Sequence, residues 1–387
     1  MGLNLSRRDF FKLTTITSIG LTVSSFFGIK TKAQDKPLEE IKTNIADALK
    51  HPRNANSMPG KFPGKVAQVN HENSIKDNVI NADAAYEMLA KGMLSLTGAA
   101  TLPEAWKQFV NENDRIGLKV NPVAGPTLST SVELTQAIVK QLEESGIRTK
   151  NILIWDRREP ELHDAGFTDD KFPGIKIIGT ERQENDSWYD ENGKLYGERM
   201  IDKEWYYWAN CEMEYDAETM PYMINQGEYS YFSKIATQMV DKIINVPILK
   251  NAGASITLCL KNLAYGVTSN TARLHKPLWS ETCAEVCAFP PIRDKVVLNI
   301  VDGIKGCFNG GPGADPQFIT DYKTLLVGTD PVAVDRIGYD IILQKRIKEK
   351  LQKVESERGM KFLGLASDLE LGVSDINKIK LEKIEMA

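Results

Sequence analysis

The chain has 387 residues, 48 Lys+Arg against 52 Asp+Glu, a net charge of −4 and 42% hydrophobic residues. That length can bury a large core, enough for one big α/β domain or two small ones. An acidic balance with no basic tract excludes nucleic acid and anionic membrane as electrostatic partners.

The first residues carry an address. Ser6-Arg7-Arg8-Asp9-Phe10-Phe11-Lys12 is a twin-arginine motif with Arg7 and Arg8 as its paired cations. Behind it, Leu13 to Ile29 is weakly apolar, too short and too rich in Thr and Ser for a stable membrane span. Thr31-Lys32-Ala33 fits a small-x-Ala cleavage site and places the mature start at Gln34. The expectation is a signal peptide over residues 1–33, recognition by the twin-arginine translocase, and a periplasmic or otherwise extracytoplasmic protein with no stable span after processing. Residues 1–33 hold five Lys+Arg and one Asp, so the mature chain carries −8. This route moves folded proteins, and folding before export often accompanies a cofactor.

Residues 34–64 are polar, hold four prolines and read as an arm or linker. From Lys65 a rhythm begins. Lys65–Asn70, Asp114–Val120, Asn151–Trp155 and Ile175–Ile178 are strand-like, while Ala82–Leu96 and Ser131–Glu144 have helical spacing. The spacing predicts an α/β fold, a mostly parallel sheet flanked by helices. Residues 181–232 interrupt it with an aromatic-rich β insertion, where Asn192-Gly193 marks a hairpin turn. Its aromatics suit a small core or a ligand platform. The rhythm returns with strands at Lys242–Pro247, Ser255–Leu258, Val296–Val301 and Thr324–Val327. A helix follows over about Val332–Glu357, stopped by Gly359, and an edge strand over Ile379–Ile384.

Five cysteines remain, an odd number, with no C-x-x-C and no cluster-binding run, so no iron–sulfur cluster is expected. Cys283 and Cys287, four apart, share a face if helical. They suit two buried thiols or part of a soft-metal site. Cys259 lies in an alternating apolar run and is expected in the core.

In a parallel sheet the active site lies in loops past strand C-termini. Four polar clusters fall there. Lys119-Val120-Asn121-Pro122 offers a cation and an amide before a helix N-terminus, suited to an anion. Asp156 directly follows the third strand. Lys250, then Lys261 and Asn262, then Arg273 and His275, form the third cluster. The fourth is Asp302-Gly303, the glycine loop Asn309-Gly310-Gly311-Pro312-Gly313, and Asp330-Pro331 through Asp335. Gly311 and Gly313 suit a backbone nest for an anion, and Asp330 before Pro331 suits a helix cap. His275, one of four His, is the candidate for proton transfer, or caps a turn.

These clusters, in this order over about Lys65–Val373, resemble the domain of unknown function 362 family, often described as uncharacterised iron–sulfur centre proteins. The resemblance rests on Lys119-Val120-Asn121-Pro122, Leu260-Lys261-Asn262-Leu263 with Arg273 and His275, Asp302-Gly303 with Gly311-Pro312-Gly313, and Gly328-Thr329-Asp330-Pro331-Val332-Ala333-Val334-Asp335. It implies an α/β fold and no particular activity. Many relatives carry ferredoxin-type cysteine clusters. This chain has none, and its Pro122 sits on the far side of Asn121 from the family's Lys-Pro-Asn turn.

Three readings follow. One is an enzyme for a small anionic substrate or cofactor. Lys119, Asn121, Lys250, Lys261, Asn262 and Arg273 would hold the anion and His275 would move protons. Asp302 or Asp335 would orient His275, or with Asp156 hold a divalent metal through oxygen ligands. A second is a non-catalytic anion- or metal-binding protein. A third is an exported structural or assembly protein using the aromatic insertion.

Overall fold

The protein is described by a computed structural model covering residues 40–216, 218 and 220–387. The signal peptide, with Arg7 and Arg8, and the first part of the arm lie outside the described residues. Among the described residues fourteen strands follow in chain order: β1 (Lys65–His71), β2 (Ile75–Lys76), β3 (Val79–Ile80), β4 (Ile116–Lys119), β5 (Ile152–Arg158), β6 (Lys176–Glu181), β7 (Ile201–Trp208), β8 (Tyr229–Ser233), β9 (Lys242–Asn245), β10 (Ile248–Asn251), β11 (Ile256–Thr257), β12 (Val296–Cys307), β13 (Ile319–Gly328) and β14 (Lys380–Met386).

The main sheet runs β14-β1-β13-β12-β9-β4-β5-β6, with β10 and β11 attached at β12. Only β13 opposes its neighbours in that row; the other strands share one direction. β13 reverses because the glycine loop turns the chain straight back from β12, as a hairpin must. The sheet is thus mostly parallel and flanked by helices, as the sequence rhythm predicts.

Both sheet faces are buried, the normal state of a parallel sheet. On β5, Ile152 and Ile154 enter one core layer while Leu153 and Trp155 enter the other, the period-two alternation of a strand. Helices Ala82–Thr97 and Val132–Glu144 cover the first layer. Helices Cys259–Val267, Trp279–Glu285, Pro331–Lys348 and Lys361–Asp368 cover the second.

The insertion forms the antiparallel pair β7–β8. Tyr207 and Phe232 are fully buried, while the cross-strand pairs Tyr206–Tyr231 and Trp208–Tyr229 occupy the outer face. One face is core, as one sequence reading of these rings expects, and the other is aromatic surface.

Two elements differ from expectation. Leu260–Leu263 lies in the helix Cys259–Val267, not at a strand mouth. A short strand, β11, ends at Thr257, and Asp335 then accepts from the Cys259 and Leu260 N–H groups at 2.6 and 3.0 Å, starting a helix. The long helix ends at Lys348, not near Glu357. There the Arg346 guanidinium reaches the Lys353 and Val354 carbonyls at 2.7 and 2.6 Å, and folds the chain back.

Candidate functional site

The strand mouths of β4, β5 and β9 meet at Lys119. Register pairs it with Trp155 on one side and Asn245 on the other, so Asp156 is one residue beyond its neighbour. The ammonium is ion-paired with Asp156 and donates to Val120 O at 2.9 Å and Asn262 Oδ1 at 3.3 Å. Three donors thus have three acceptors, and the side chain is 0% exposed. Burial pushes its pKa down, and Asp156 opposes that push. Gly266 makes the fit possible: a Cβ there would stand 2.4 Å from Lys119 Nζ.

A relay of amides continues from this pair. Asn121 Nδ2 donates to Asn262 Oδ1 at 3.0 Å, Asn262 Nδ2 to Asn245 Oδ1 at 2.8 Å, and Asn245 Nδ2 to Asn299 Oδ1 at 2.9 Å. All four are buried. Such a network is favourable only when each member is satisfied, and these are.

Lys250 enters at the near end, donating to Asn121 Oδ1 at 2.9 Å and Val123 O at 2.7 Å. It too is 0% exposed, but no carboxylate hydrogen-bonds to it among the described residues. Burial, then the nearby Lys261, push its pKa down to about 7. Lys261 is 8% exposed. It donates to Thr257 Oγ1 at a long 3.3 Å and lies 5.7 Å from the Tyr265 ring centroid. Burial pushes its pKa down to about 8; Cys283 opposes and Arg157 adds to the push. Its place in the first turn of a helix, where the backbone dipole is positive, also disfavours a cation.

The outer rim holds Arg157 and His275. Arg157 hydrogen-bonds to Thr271 Oγ1 and donates to Tyr265 O at 3.2 Å. Its Nε lies 3.5 Å from a Glu181 carboxylate oxygen without a hydrogen bond. The His275 ring packs against Tyr265 at a 55° tilt with centroids 4.4 Å apart, and its Nδ1 lies 3.0 Å from Thr271 O. Enclosure of the ring, then Lys261 and Arg157, push the imidazole pKa down. The residue remains exposed, so water moderates that push, and the ring is neutral at pH 7. Its Nε2 has no hydrogen-bond partner among the described residues.

Lys119, Asn121, Asp156, Lys250 and Asn262 therefore form one connected cluster, and Lys261 lies beside it, close to Lys250 but hydrogen-bonded only to Thr257. Other expected members stand elsewhere. Arg273 is buried beneath the insertion, donating to Ala209 O at 3.1 Å, Cys211 O at 2.9 Å and Ser230 Oγ at 2.9 Å. Those acceptors use it as a brace for β7 and β8, so it is not an anion donor at the mouth. Asp302 accepts from Ser131 N at 2.8 Å, Ser131 Oγ at 2.6 Å and Ile304 N at 3.1 Å. Asp335 caps the helix Cys259–Val267. Neither orients His275, whose ring bonds to a carbonyl. With Asp156 committed to Lys119, the three aspartates expected as metal ligands are separate. Among the described residues no three His, Cys, Asp or Glu side chains gather for a metal ion. Gly311 packs on Asn251 O, where a Cβ would fall 1.8 Å away. Its loop, including Gly313, is the β12–β13 hairpin, braced by Arg346 through Phe308 O at 2.9 Å and Asn309 Oδ1 at 2.7 Å. Asp330 is a cap, accepting from Ala333, Gly64 and Val373 N–H groups.

Sequence reasoning missed Arg157, Asn245, Asn299 and Tyr265. Arg157 had a signal, since it directly follows Asp156. The asparagines had none beyond lying on predicted strands.

Residues 205–340 match the family model described as Domain of unknown function (DUF362). The DUF362 stretch contains Lys250, Lys261, Asn262 and His275. Lys119, Asn121 and Asp156 precede it, so the cluster is assembled from both sides of the matched boundary. No curated protein matches the chain. A crystal structure of a Thermotoga maritima protein aligns at 8% identity and a TM-score of 0.34, covering 70% of this chain and 60% of that one. Among the described residues no helix is long and apolar enough to cross a membrane.

Proposed function

We propose that the protein is an exported enzyme that binds a small anionic substrate between Lys261 and Arg157, with His275 at the rim. One observation carries this reading. Lys250 and Lys261 are both buried, Lys261 adds to burial in pushing the Lys250 pKa down, and neither has a carboxylate hydrogen-bonded to it. Burying an uncompensated cation is costly, and a bound anion supplies the missing compensation. Lys261 has one long hydrogen bond, Arg157 Nη2 has none among the described residues, and Lys261 is the one of the three lysines that solvent reaches. The Arg7–Arg8 motif supports export, and Arg7→Lys with Arg8→Lys should leave precursor in the cytoplasm.

Oxalate tests the anion site. Titration calorimetry should show one site per chain, weakened by Lys261→Ala. Affinity should fall as pH rises through about 7 to 8, because Lys250 and Lys261 then lose the protons that attract the anion. Affinity independent of pH, or unchanged in Lys261→Ala, contradicts the reading. A binding protein without chemistry is the second reading. It is favoured by His275, which hydrogen-bonds to no carboxylate.

A further inference from the structure

Three lysines converge here, and only one is available to do chemistry. Lys119 has three acceptors and no exposure. Lys250 has two good acceptors and no exposure. Lys261 keeps 8% of its surface in contact with solvent and has one long hydrogen bond, to a hydroxyl. Burial, Arg157 on β5 and the positive end of its own helix disfavour a positive charge there, Lys250 on β10 is a further nearby cation, and only Cys283 and the Tyr265 ring favour the charge. Cys283, on the helix Trp279–Glu285, and Tyr265 face it without hydrogen-bonding to it. An amine so placed is a nucleophile near neutral pH, because desolvation and cationic neighbours activate lysine.

We infer that Lys261 is a catalytic amine that forms an imine with a small anion carrying an aldehyde or ketone carbon, such as a 2-oxo acid. The inference rests on the proposed anion site and names its substrate class. Arg157 would hold the carboxylate, and the Lys261 Nζ lone pair would attack the carbonyl carbon. The carbonyl oxygen takes a proton to give a carbinolamine. A C=N bond then replaces the C–O bond as that oxygen leaves as water, carrying both amine hydrogens in net balance. No oxidant or reductant enters. His275, with its free Nε2 at the rim, is suited to pass protons to the departing oxygen.

Glyoxylate, an anionic aldehyde too small to be excluded by shape, is the probe. Full-length exported protein is treated with glyoxylate and cyanoborohydride, and carboxymethyl-lysine is mapped by mass spectrometry. At pH 8 the unprotonated fraction of Lys261 exceeds that of an ordinary lysine by on the order of 100-fold. Lys261 should therefore be modified at least about tenfold ahead of exposed Lys42 and Lys50, and the modification should grow toward pH 8 while oxalate affinity falls. Lys261→Arg should lose the selective label and make oxalate affinity less dependent on pH, since a guanidinium keeps its charge. Modification that follows exposure alone, leaving Lys261 behind Lys42 and Lys50, overturns the amine assignment. So does oxalate binding in the wild-type protein without label at Lys261, which leaves the anion site standing. Absence of both binding and label overturns the two together.

Discussion

Two groups of buried cations lie side by side, and they are built differently. At the mouth of β4, Lys119 has Asp156, a carbonyl and an amide oxygen, and needs nothing more. Between β10 and the helix Cys259–Val267, Lys250 and Lys261 have neutral acceptors only. The first group resembles a solved structural problem; the second is left electrostatically open. A buried charge with its own counter-charge holds a fold in one register, whereas one without it is either neutral or waiting for an anion. The contrast separates scaffold from site between neighbouring groups of side chains.

The largest effect should come from breaking the compensated pair. Asp156→Asn leaves Lys119 buried without a counter-charge and should cost about 3–5 kcal/mol in denaturant unfolding. If the variant is as stable as wild type, the pair is not what holds these strand ends.

Gly266→Ala should be next, at about 1–3 kcal/mol, because the new methyl overlaps the Lys119 ammonium and the pocket is packed. Combined with Asp156→Asn its cost should be less than additive, since both disturb one contact.

Lys250→Met should change the pH dependence more than the stability itself. In wild type the folded pKa near 7 lies below the unfolded value of 10.5, so between those pH values the unfolded chain holds more protons. Stability therefore rises with pH across that window, by up to about 1.4 kcal/mol per unit for one group. The variant should lose that component of the slope. An unchanged slope would show that Lys250 stays charged in the folded protein.

The smallest effect should be that of Lys261→Met. With one long hydrogen bond and partial exposure, it should shift stability by less than about 1 kcal/mol. A loss as large as that of Asp156→Asn would remove the contrast between the two groups.

Much of this was legible along the chain. Alternation such as that of Ile152–Trp155, set against helical spacing in Ser131–Glu144, specifies a strand and a helix because those periods are local. Asp330 before Pro331 is a cap by residue type and position, as its hydrogen bond from the Ala333 N–H bears out. Lys119, Asn121 and Asp156 were legible as strand-mouth residues, because a parallel sheet presents its C-terminal ends on one side. Tertiary structure alone assigned their partners. Lys119 and Asn262 are 143 residues apart, and nothing local tells that one amide oxygen will serve both Lys119 and Asn121. Nor does sequence distinguish Arg273, which braces the insertion, from Arg157, which borders the lysines. Both are arginines near a predicted mouth. What each does depends on which acceptors the long-range packing brings within hydrogen-bond reach, and that is decided only when the chain closes on itself.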